Sequence, residues 1–291
     1  MAFAFDSRLA RLELFQGSES APRGEANVNL QPIGSGRWSS ATPSWQPLEQ
    51  PQALIPLQQL HHEFNYQGPA NNHRYSGYQG NLSLSGNQSA NIQESESMSV
   101  YITNLPLDCD AHMLLAAIRG VGKIFACNVG PPDTNHSTAC AKVVFFERAE
   151  TGRLLDKVSR GEFRVGNYLP HVTMNRTRVQ AEGPSNRSRV ILVSGPAEII
   201  NRPYLEALFQ RHCYYNMDEV LNVMEGAGGL PAFLEFRFSS WRAQASKAFE
   251  VCEKARQGIA KFTAGMSDEE KTLWRSARVR WGQDPCAGEG S

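Results

Sequence analysis

The chain has 291 residues, 41% of them hydrophobic, which is enough for one large or two ordinary cores. Its 29 basic and 29 acidic residues balance, so net charge points to neither a nucleic acid nor an anionic membrane. The opening "MAFAFDSRLARLELF" has no basic region ahead of an unbroken apolar stretch, and no later run reaches the roughly 18 apolar residues of a spanning helix, so neither secretion nor membrane insertion is expected.

Residues 1–97 contain no lysine and no cysteine and are dominated by Gln, Ser, Asn, Gly and Pro. Such a stretch buries too little apolar surface to offset its chain entropy, which predicts a disordered leader. Tyr66, Tyr75 and Tyr78, set among Gly, Asn and Gln, resemble low-complexity tracts that self-associate. Phe5, Leu9 and Leu12 fall at helical spacing, the pattern of a short helix for a protein partner.

From residue 98 the pattern alternates strands and helices. "SVYITNLP" reads as a strand closed by a turn signal, and "DAHMLLAAIRGVG" as a helix capped by Asp110. "KIFACNVG" and "TACAKVVFF" are strands, "ERAETGRLLDKVSRG" a helix and "LPHVTMN" a fourth strand. The βαββαβ order then returns in "RVILVSGP", "NRPYLEALFQRHC", "MDEVLNVME", "LPAFLEFRF", "SWRAQASKAFEVCEKA" and "ARVRWG". An insertion near 257–274 interrupts the second copy, and Ser267 followed by Glu270 forms a capping box that predicts an extra helix there.

The expected architecture is α+β: two ferredoxin-like plaits in tandem after a disordered leader. Boundaries fall at 1–97 for the leader, 98–178 and 189–283 for the plaits, 179–188 for a linker and 284–291 for a tail. As a flexible chain the linker would span on the order of 17 Å. The six cysteines include no CxxC pair and no matching histidine spacing, so buried thiols are expected and no metal or other cofactor. No P-loop, HExxH or Gly-x-Ser-x-Gly is present, so no catalytic residue is assigned.

Val100, Tyr101, Ile102, Thr103, Asn104 and Leu105 match the first-strand hexamer of the RNA recognition motif (RRM), which the first domain resembles. The third-strand octamer is matched poorly. Alternation leaves "ACAKVVFF" two registers, and a lysine facing the helices would cost several kcal/mol. Ala141, Val143 and Phe145 are therefore placed inward, with Cys140 and Lys142 where the family carries stacking aromatics. In the second copy Ala232, Leu234 and Phe236 are placed inward and Phe233, Glu235 and Arg237 outward. There Pro231 and Leu192 stand where the family has aromatics, so the likeness is more distant. With its Gln/Ser-rich leader and "GQDPC" ending, the chain is similar to tandem RRM proteins of filamentous fungi.

The resemblance implies single-stranded RNA bound on the sheet of the first domain, with the degenerate second domain assisting, in the nucleus or the cytoplasm. Tyr101 is the expected stacking ring, with Thr103, Cys140, Lys142, His171, Thr173, Asn175, Arg176 and Arg178 as companions and Phe233 as a second-domain ring. Residues 98–180 hold ten basic against seven acidic side chains and residues 185–283 fourteen against eleven, beside a leader with five against eight. The neutral average thus hides two mildly basic domains. The alternative is an RRM-derived interaction module without RNA binding of its own, whose sheet or helices bind a protein; separately, the leader or the second domain is a candidate surface for a protein partner.

Overall fold

The computed structural model of the chain describes residues 88–134, 136–183, 185–226 and 230–288. Most of the expected leader, with its tyrosine-rich tract and its helical spacing of Phe5, Leu9 and Leu12, lies outside the described residues. The first plait runs β1 (Ser99–Leu105), α1 (Ala111–Ile118), β2 (Ile124–Gly130), β3 (Ala139–Phe145), α2 (Arg148–Ser159) and β4 (His171–Met174). Its antiparallel strands lie in the order β2-β3-β1-β4. The second runs β5 (Val190–Gly195), α3 (Arg202–Gln210), β6 (Met217–Met224), β7 (Ala232–Phe238), α4 (Ser246–Arg256), α5 (Ala260–Thr263), α6 (Asp268–Ser276) and β8 (Arg278–Trp281). Its sheet order, β6-β7-β5-β8, repeats the first.

Local chemistry sets the helix starts. Asp110 caps α1 by accepting from the Met113 N–H at 2.8 Å, and Asn201 caps α3 by accepting from Tyr204 at 3.0 Å. The capping box of the insertion forms: Ser267 Oγ accepts from Glu270 N at 3.1 Å and Glu270 Oε2 from Ser267 N at 2.7 Å. At the end of β1, Asn104 takes a left-handed backbone, φ 60°, at an irregularity in the β1–β3 ladder, and its amide donates to Leu169 O at 2.9 Å. Asparagine tolerates that conformation better than a branched residue would.

Alternation then sorts the faces. Ala141, Val143 and Phe145 enter the first core with Leu114, Ile118 and Leu154 of the helices, while Lys142 points the other way. Each apolar side chain as large as Phe145 contributes roughly 1.5–3 kcal/mol on burial. Ala232, Leu234 and Phe236 enter the second core beside Phe209 and Trp274 of the inserted helix. Trp274 thereby joins the insertion to the plait rather than leaving it as an appendage.

Three stretches at the domain borders depart from expectation. Residues 88–97, read as leader, pack on the first plait: Ala90 N donates to Arg178 O and Met98 N to Val179 O, both at 2.9 Å. The linker lies along the first plait instead of hanging as a tether. Glu182 N donates to Phe146 O at 3.3 Å and Lys123 Nζ to Ser185 O at 2.7 Å, and where the linker meets the second plait the Arg187 guanidinium stands 5.3 Å over the Trp241 ring. The tail is not a tail, because Asp284 and Cys286 are buried, Cys286 within the first plait's core.

These stretches weld the plaits together, and the described residues fall within one compact unit. Arg189, ahead of β5, is 1% exposed and donates to Asp284, to Asp218 and to Phe238 O at 2.9, 2.8 and 2.8 Å. Asp284 Oδ2 in turn accepts from Ile124 N of β2 at 2.8 Å, and Asp218 Oδ1 lies 2.7 Å from His112 Nδ1 of α1. Ser240 completes the seam by donating to Cys127 O and accepting from Cys127 N at 3.1 and 2.9 Å. Beside it Trp241 packs on Phe125 and Phe146, ring centroids 5.2 and 5.6 Å apart.

Candidate nucleic-acid interface

The outward face of the first sheet carries one row across all its strands. Asn128 of β2 is the register partner of Lys142 on β3, Lys142 of Tyr101 on β1, and Tyr101 of Thr173 on β4. A neighbouring pair sets Thr103 against His171. Tyr101 is 39% exposed, so a flat ring faces solvent at the middle of the row. Toward β2 the face closes over, where Val144 packs with Met98, Phe125 and Phe146 against Trp241.

Electrostatics tune this row. A hydrogen bond with Cys140, then burial and the charges of Cys140 and Asp133, push the Tyr101 hydroxyl up to about 12, so the ring stays neutral at ordinary pH. Burial, followed by the charge of Arg242, lowers the Lys142 ammonium from its usual value. An anion brought to that lysine would favour its charged form again. Arg242 belongs to the second plait, on a wide turn, Trp241–Ala245, between β7 and α4. Its neighbour Ala243 holds φ 62°, uncommon for a residue with a side chain.

The expected site residues divide. Tyr101, Thr103, Cys140, Lys142, His171 and Thr173 share the sheet face. Arg176, beyond β4, is exposed. Asn175 turns the chain, its N–H donating to Ser99 O at 2.9 Å and its Oδ1 accepting from Thr177 N at 3.1 Å. Arg178 holds residues 88–97, its Nη1 donating to Ile92 O at 2.6 Å. Phe233 points outward from the second sheet as expected but is 2% exposed, and a ring so covered offers no face to a base. Beside it Arg237 donates to Glu235 and Glu219 at 2.7 and 2.6 Å, while Arg278 and Arg280 of the edge strand β8 are exposed on the same face. Arg242 escaped the sequence reading because "SWRAQ" looks like the first turn of a helix, and nothing local marks where it ends up.

Connectivity and strand order together decide the fold. Both domains are ferredoxin-like βαββαβ plaits. No family model matches the chain, and no curated protein matches it. Among solved structures, RNA recognition domains 1 and 2 of Sex-lethal from Drosophila melanogaster are 16% identical, covering 64% of this chain and 99% of theirs with a TM-score of 0.22. The first two RRM domains of the yeast poly(U) binding protein are 15% identical, covering 64% and 99% with a TM-score of 0.24. RRM domains 1 and 2 of Prp24 from S. cerevisiae are 12% identical, covering 65% and 97% with a TM-score of 0.25. No helix among the described residues is long and apolar enough to cross a membrane.

Proposed function

We propose that the chain is a non-enzymatic protein that binds single-stranded RNA on the sheet of its first plait. The observation that carries the reading is Tyr101: a half-exposed ring in register with Lys142, with Arg242 close enough to act on that lysine. A ring for a base beside cations for phosphates is the minimal equipment of a sequence-tolerant single-strand site. His171, Thr173 and Arg176 extend it along β4. A single ring makes a weak site, since each stacked base is worth roughly 1–3 kcal/mol.

The second plait assists without presenting its own sheet. At the middle of that sheet Arg237 is held between Glu219 and Glu235, so its guanidinium is already engaged by carboxylates. The plait's contribution is Arg242 of the wide turn, whose charge acts on Lys142.

The test is fluorescence anisotropy of the full chain with a mixed-sequence single-stranded RNA over a range of salt. If about four phosphates are neutralised, log K against log salt should fall with a slope near −3. Lys142→Ala and Arg242→Ala should each make the slope shallower by about 0.7. Absence of RNA binding by the folded wild type would transfer the sheet to a protein partner.

A further inference from the structure

Away from this face, four arginines converge on one groove of the second plait. Arg256 comes from the last turn of α4, Arg275 from the last turn of α6, and Arg278 and Arg280 from β8. The groove has a volume of about 450 Å³ and is completed by Glu253, Ser276, Ala277 and Val279. Its single carboxylate is engaged by Arg256 at 2.9 Å. Arg275 and Arg278 are exposed, and no ion pair is found for either among the described residues.

Holding several guanidinium groups around one hollow costs repulsion that a surface normally avoids by interspersing acids. The acids of α6, Asp268, Glu269 and Glu270, all lie in its first turn, at the end opposite Arg275. Along the helix axis they lie roughly 7.5 to 10.5 Å from Arg275, about a Debye length at physiological salt, and no ion pair joins any of them to it among the described residues. Both helices end at the groove, and helix C-termini favour cations, which helps to hold Arg256 and Arg275 there.

The position also separates the groove from the first sheet. The contacts to the first plait gather where β5 and β6 begin and β7 ends, around Arg189, Asp218 and Phe238. β8 pairs antiparallel with β5, so Arg278, its first residue, lies at the far end, partnered with Ser194.

We propose that this groove is a second anion site, which takes the phosphodiester backbone of the RNA and reads no bases. Fork-shaped guanidinium groups match phosphate oxygens in pairs. The floor is Ala277 and Val279, both buried in the second core, so the groove holds neither a ring for a base nor an open apolar hole for a peptide side chain. That favours phosphates over an acidic protein. The inference rests on the RNA-binding reading above.

The test compares the full chain with an R275Q/R278Q variant and with a Y101A/K142A variant, all checked for folding by circular dichroism. Each is titrated with long mixed-sequence single-stranded RNA over a salt series and with poly-glutamate. Loss of two phosphate contacts should make the R275Q/R278Q slope shallower by about 1.4 and weaken binding about tenfold near 0.1 M salt. Wild-type and R275Q/R278Q curves that superimpose, with Y101A/K142A weakened, overturn the groove and leave the first-sheet site standing. No RNA binding by the wild type overturns both. Arginine-dependent binding of poly-glutamate without RNA binding makes the groove an acidic-protein site and overturns the proposal.

Discussion

The guanidinium of Arg189 and the carboxylate of Asp284, 95 residues apart in the chain, meet at 2.9 Å with side chains 1% and 0% exposed. Burial opposes the charge on Arg189, but Asp284, Cys286 and Asp218 outweigh it and hold its pKa above the ordinary arginine value. Because Asp284 also accepts the Ile124 N–H, one carboxylate ties the start of the second sheet to an edge strand of the first.

Breaking a buried pair by removing one partner leaves an uncompensated charge, at a cost of about 3–5 kcal/mol. Asp284→Ala should therefore lower the unfolding free energy of the chain by that amount. Removing residues 284–291 should do at least as much, because Cys286 leaves the first core with them. Urea unfolding checks both. The wild type should unfold in one transition, and the variants should show the two plaits melting apart.

Two thiols beside this junction give the chain an alkaline limit. Burial pushes Cys127 and Cys286 from 9.0 up to about 12. Above pH 9 the unfolded chain releases these protons while the folded chain keeps them, so the folded state binds more protons there and stability falls as pH rises. Below that pH both states are protonated and the contribution is complete. Urea midpoints under reducing conditions should be level from about pH 7.5 to 8.5 and drop by pH 10.5, and a Cys127→Ala, Cys286→Ala chain should drop less steeply.

The wide turn carries two costs. Trp241 Nε1 is buried with no hydrogen-bond partner among the described residues, and Ala243 holds φ 62°. Trp241→Phe removes the orphan N–H while keeping a ring between Phe125 and Phe146, so it should change stability by less than about 1.5 kcal/mol. Trp241→Ala should cost several kcal/mol, roughly 3–5 for a well-packed ring. Ala243→Gly should stabilise by up to about 1 kcal/mol, since a left-handed backbone costs a side-chain residue 1–2 and glycine repays part in entropy. Thermal melts of the three variants suffice.

The elements of both plaits were legible because the signals that set them are local. Alternation, Asp110, Asn201 and the Ser267–Glu270 box all act within a few residues of themselves. Lys142 fixed the register of β3 by the cost of burying it, and Ala141, Val143 and Phe145 do face the core. The seam between the plaits was illegible for the complementary reason. Arg189, Asp218 and Asp284 look like surface charges until the chain brings them together, and "GQDPC" is too polar to read as core. Phe233 fails at another level: alternation gives its direction correctly but says nothing about what covers it. The turn that carries Arg242 lies against the first plait only because the seam exists, so Arg242 inherits that illegibility.

One measurement bears most directly on the first sheet: the affinity of the full chain for mixed-sequence single-stranded RNA, beside Tyr101→Phe and Tyr101→Ala, at one low salt concentration. Stacking on Tyr101 predicts that phenylalanine binds like the wild type, because the ring is kept. Alanine should lose about 1–3 kcal/mol, a factor of roughly 5 to 150. Alanine binding as tightly as the wild type, with all three chains folded, would contradict a base stacked on that ring.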